Sequence, residues 1–98
     1  MDNCLRCQVT PGMFSGEVAV RGTTADGTEF SLFVSEEFVD CSEPVTEGRP
    51  VDGWLSVEVL AREDNLALVR LPGQTFENGQ TVTVLDSQLE LHPRRQTA

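Results

Sequence analysis

The chain contains no lysine and no tyrosine, one histidine, one tryptophan and no long apolar run. Each shortage narrows the reading. Lysine and tyrosine are ruled out as catalytic acids, bases or nucleophiles. The lone His92 stands beside Pro93 near the C-terminus, and no Ser or Cys has neighbours that mark an activated nucleophile. The expectation is a non-enzymatic protein with no catalytic residue and no cofactor. No segment reaches the ~20 apolar residues that span a bilayer, and the N-terminus lacks the basic flank and hydrophobic stretch of a signal peptide. A cytoplasmic protein without membrane contact is expected. Three cysteines, an odd number without an export signal, argue for reduced thiols rather than a disulfide framework.

Basic charge is also scarce. Seven arginines face 16 acidic residues, giving a net charge of −9 over 98 residues. This repels nucleic-acid backbones and anionic membranes and favours a partner with a basic surface. The length suits one domain with one core.

What is present is alternation. Leu55, Val57, Val59 and Ala61 interleave with Ser56, Glu58, Leu60 and Arg62, and Ala67, Val69 and Leu71 interleave with Leu68 and Arg70, the period of two of a pleated strand. The turn between them fixes the register. A two-residue Asp64-Asn65 loop sets Val59 against Arg70. A three-residue Glu63-Asp64-Asn65 loop, with Asn65 left-handed, instead sets Val57 against Leu71, Val59 against Val69, Ala61 against Ala67 and Glu58 against Arg70. The second pairing matches like with like and is preferred.

Elsewhere, Phe14, Gly16, Val18 and Val20 alternate as one strand, and Phe30, Leu32 and Val34 as a second, joined through Asp26-Gly27 as an antiparallel hairpin. Phe33 points away from that core, and Glu36-Glu37 marks a bulge or single turn that returns Phe38 to the interior. Val82 and Val84 belong to a strand over Gln80–Leu85, preceded by a turn at Phe76-Glu77-Asn78-Gly79, and residues 87–91 form a short last strand. The predicted core is Phe14, Val18, Val20, Phe30, Leu32, Val34, Val57, Val59, Val69, Leu71, Val82 and Val84. Residues 1–12 read as a flexible leader, with Met13 as an alternative start, residues 13–91 as a single β domain, and residues 92–98 as a flexible tail. No segment shows helical periodicity and none repeats. Short strands with close turns predict an all-β fold, a small five- to six-stranded antiparallel half-open barrel, SH3-like or OB-like, or a compact sandwich.

Three functional readings arise. A zinc site would take the thiolates of Cys4 and Cys7, at two-residue spacing, with Cys41 and His92 completing a tetrahedral set; the last two are not a local pair, and the expectation is no metal. A single-stranded nucleic-acid barrel would stack bases on Phe33 and Trp54, against the charge. The favoured reading is a protein–protein interaction module. Asp40–Gly53 is read as the one long irregular connection, and Phe33, Glu43, Glu47, Asp52 and Trp54 are its partner-binding residues. Carboxylate pairs at Glu36-Glu37 and Glu63-Asp64 are read as solvated turn residues.

Overall fold

The computed structural model describes residues 2–73, 75 and 79–92. Among these residues, eight strands make one antiparallel sheet: β1 (Asp2–Pro11), β2 (Glu17–Thr23), β3 (Glu29–Ser35), β4 (Val39–Cys41), β5 (Val51–Glu63), β6 (Leu66–Arg70), β7 (Thr81–Leu85) and β8 (Leu89–His92). Two 3₁₀ turns, Glu36–Phe38 and Asp86–Gln88, lead into β4 and β8. Six strands run in the order β3-β2-β1-β5-β6-β7, while β4 pairs β5 and β8 pairs β1. The expected all-β half-barrel is what forms, and the sheet curls around a single core.

The largest departure from expectation is at the start of the chain. The segment expected as a leader over residues 1–12 supplies β1, the strand at the middle of the sheet. Leu5, Cys7 and Val9 point into the core while Arg6 and Gln8 face solvent. Cysteine packs here as a small hydrophobe, which hides the alternation from a reading that takes it as polar. One edge of β1 pairs β5 along its length; the other is shared by β8 and β2. A chain begun at Met13 would lose all three pairings. Of the expected tail, His92 belongs to β8, and residues 93–98 lie outside the described residues.

The chain also repeats, contrary to expectation. A spacing of 50 residues carries the first 3₁₀ turn onto the second (Glu36 to Asp86) and β4 onto β8 (Val39 to Leu89). Glu36 N donates to Gly16 O as Asp86 N donates to Asn65 O, both at 2.8 Å. The pairs Gln8–Arg21 and Val9–Val20 correspond to Glu58–Arg70 and Val59–Val69. Each half is a three-stranded meander, a 3₁₀ turn and a short strand that crosses to pair with the other half's first strand. Leu5 and Leu55, equivalent residues, face one another in register where β1 meets β5, and both are fully buried. They mark a pseudo-twofold axis through the core.

The central hairpin combines both registers weighed from sequence. Near its turn Glu63 pairs Leu66 and Arg62 pairs Ala67, the two-residue loop, with Asp64 rather than Asn65 at positive φ (55°). Further out Glu58 pairs Arg70 and Val59 pairs Val69, as the three-residue loop requires. A bulge at Leu60 absorbs the difference. The short turn is satisfied locally and the apolar register globally.

Most of the predicted core is buried, with Val57 and Val59 only half-buried. Phe14 is 71 % exposed, because Phe14–Gly16 forms the turn into β2, closed by Glu17 N to Phe14 O and by Gly16 at φ 81°. Phe38 does not return to the interior; the next residue, Val39, does. The remaining core comes from Leu5, Cys7, Val9, Val39, Val51, Leu55 and Ala67. The expected long loop is largely a hairpin: Val39, Asp40 and Cys41 pair Leu55, Trp54 and Gly53, leaving residues 42–50 as the connection. Gly53 is required there, since a Cβ would lie 2.7 Å from Val9 Cγ2 and 3.1 Å from Asp40 O. Part of the expected Phe76–Gly79 turn lies outside the described residues; Thr75 N donates to Gly79 O.

Candidate functional site

The outward face of the strands beside the axis carries the chain's one histidine and one tryptophan among several carboxylates. Alternation puts Asp2, Cys4 and Arg6 of β1 on this face, with Asp52, Trp54 and Ser56 of β5, Asp40 of β4, and Glu90 and His92 of β8. The face curves strongly enough for strands that are not neighbours to touch. His92 of β8 reaches Asp40 of β4, Nδ1 to Oδ2 at 3.4 Å, and its ring lies 5.2 Å from Trp54 on β5. Arg6 covers Trp54, its guanidinium carbon 5.4 Å from the ring centroid. Cys4 is buried outside the main core, its Sγ 4.0 Å from Ser56 Oγ and donating to Asp2 O at 3.8 Å.

A groove of about 640 Å³ opens beside this face. Val39, Val57, Leu71 and Pro72 give it an apolar floor, and Phe38 stands at its side, 37 % exposed. Among the described residues its carboxylates are Asp2, Glu37, Asp40 and Glu58, against Arg70 alone. Arg70 is already paired with Glu58 at 2.9 Å, so the groove remains strongly acidic.

The repeat places different side chains at the equivalent position in the other half. Gln88 stands where Phe38 would be, and its Nε2 donates to Thr23 O at 3.0 Å, tying the second 3₁₀ turn to β2. Its Oε1 accepts from Leu85 N at 2.7 Å. Phe30 takes the place of Gln80 and lies over Gly22, where a Cβ would be 2.5 Å from the ring. At the open groove Phe38 offers no such tie to Pro72, the residue equivalent to Thr23. Two related positions thus differ: one is tied across by Gln88, the other is open and acidic.

The thiols do not converge. Three residues apart on a strand, Cys4 and Cys7 point to opposite faces. Cys7 lies in the core with Cys41, both beside Gly53, while Cys4 shares the outer face with His92. The expected alternative of four zinc ligands is therefore split in two, and among the described residues no group of three or more His, Cys, Asp or Glu is placed to hold a metal ion. Burial pushes the Cys4 thiol up, and pushes Cys7 up to about 12, opposite to what a nucleophile or metal ligand needs.

The residues expected to bind a partner are dispersed. Glu43 and Glu47 are exposed in the β4–β5 connection, where Arg49 holds Glu43 at 3.1 Å. Asp52 is exposed on β5 and Trp54 follows on the same face, enclosed by Arg6 and His92. Phe33 lies on the edge strand β3, half-buried and apart from the groove. Reading by segment missed the groove because its walls come from five separate stretches of chain. The usable sequence signal was the acidic pair Glu36-Glu37 followed directly by Phe38-Val39-Asp40.

Among the described residues no helix is long and apolar enough to cross a membrane. The chain matches no known family model, no curated protein and no solved structure.

Proposed function

We propose that the protein is a non-enzymatic interaction module whose open acidic groove receives a basic segment of a protein partner. The observation that carries this reading is the groove itself: an apolar floor beneath an excess of carboxylates, with Phe38 where the other half has the Gln88 tie. The floor suits an apolar side chain, and the carboxylates suit flanking arginines or lysines. Charge complementarity then raises the association rate in a salt-sensitive manner. The same acidity speaks against nucleic acid. Two buried, protonated thiols accord with a reducing, cytoplasmic setting and with a binding rather than a catalytic role.

The test is calorimetric titration with a short arginine-rich peptide carrying one central leucine. Glu37→Arg should weaken binding on the order of tenfold or more. Glu43→Arg and Glu47→Arg, in the exposed β4–β5 connection, should change it far less. Equal losses from all three would show a diffuse charge effect, and a larger loss from the connection would move the site there.

A further inference from the structure

Resting on that reading, we infer that His92 makes the groove pH-sensitive: protonation of its imidazole withdraws the Asp40 charge from the groove and weakens binding of a basic segment. Asp40 belongs both to the groove lining and to the contact with His92. The imidazole lies between two carboxylates, Nδ1 3.4 Å from Asp40 Oδ2 and Nε2 3.4 Å from Glu90 Oε1. Nε2 is buried and makes no hydrogen bond to any described residue. A neutral imidazole has one N–H and one lone pair, so it can serve only one of these carboxylates as donor. An imidazolium has two N–H groups and can serve both.

Among the described residues, four strands supply its neighbours. From β8 comes Glu90; from β1 come Asp2, in register with His92, and Cys4, in register with Glu90; from β4 comes Asp40. The ring of Trp54 from β5 lies against His92, and Arg6 covers that indole as the one cation among these described residues. Histidine is the side chain whose charge ordinarily changes between about pH 5 and 8, the window that the test covers. A bound proton places a positive charge beside Asp40 and leaves the groove one charge less acidic. Proton and basic segment then compete, which is negative linkage between two sites.

Trp54 reports the switch without any ligand. It is the chain's only tryptophan, and an imidazolium beside an indole quenches its emission. Fluorescence of the full chain from pH 8 to 5 should show one transition, absent in His92→Gln. In parallel, calorimetry with the arginine-rich peptide, N-acetylated so that its charge is constant over this range, should show affinity falling about three- to tenfold from pH 7.5 to 5.5 in the wild type. The fall should be largely lost in His92→Gln and in Asp40→Asn. A fluorescence transition with unchanged affinity would overturn the regulation while leaving the groove as a binding site. Absence of peptide binding at every pH would overturn both readings. Persistence of the pH dependence in His92→Gln would assign it to another group and refute the role of His92.

Discussion

Replacing Leu5 by alanine tests whether the first strand is structural, and its cost follows from the packing. Leu5 is fully buried, faces Leu55 across the pseudo-twofold axis and pairs Leu89 on its other side. The substitution removes about three carbons' worth of burial, roughly 2.4 kcal/mol at ~0.8 kcal/mol per methylene. Neighbours drawn from two strands cannot collapse freely, so a residual cavity brings the expected loss to about 3–5 kcal/mol. A domain of this size has about 5–15 kcal/mol of stability in all. Equilibrium urea denaturation followed by Trp54 fluorescence should show a lowered midpoint with an unchanged slope. Leu66→Ala, on the outer face at 39 % exposure, is the comparator and should cost less than about 1 kcal/mol. If Leu5→Ala cost no more than Leu66→Ala, residues 1–12 would be a leader after all.

Gly53→Ala should destabilise by about 1–3 kcal/mol, since its methyl group would press on Val9 and the Asp40 carbonyl; denaturant midpoints would show it, and a neutral result would contradict the close approach of β1, β4 and β5. Asp26 accepts from Thr24 Oγ1 and Thr28 N, which holds its carboxyl at about 2, below the ordinary 3.8. Because the folded value lies below the unfolded one, this contribution is in place above about pH 4 and is lost as the pH falls through 2; an NMR titration of the Asp26 carboxyl at or above 3.8 would refute the turn geometry. Native thiol labelling near pH 8 should modify the half-exposed Cys41 first and the buried Cys4 and Cys7 only slowly, with Cys7 slowest, while three equal rates would contradict the burial.

Strands with plain apolar alternation were legible in the sequence. Phe30, Leu32 and Val34, and likewise Val69, Leu71, Val82 and Val84, all pack inward as their spacing implies. β1 was not legible because cysteine and arginine interrupt a short run whose burial is decided by strands far along the chain. The central hairpin was half legible in each of its two readings, since a bulge is a compromise between turn and register that neither one states alone. The duplication was hidden because it is kept mainly where hydrophobic alternation puts similar residues in any case, as at Val9 and Val59 or Val34 and Val84. Val34 and Val84 still align at the 50-residue spacing, whereas Val20 and Val69 align one residue short of it, as the bulge at Leu60 requires. The groove lay beyond reach for a further reason: Asp2, Asp40 and Glu58 are distant in sequence, and only the crossing of β4 and β8 between halves brings these parts of the chain together.

The most direct test of the groove as binding site is an amide chemical-shift map of the protein titrated with the arginine-rich peptide at low salt. The account predicts saturable shifts concentrated at Phe38, Val39, Ser56, Val57, Leu71 and Gln80, with the latched region around Thr23 and Gln88 unmoved. Shifts confined to Glu43 and Glu47, or scattered over the acidic surface without saturation, would contradict it.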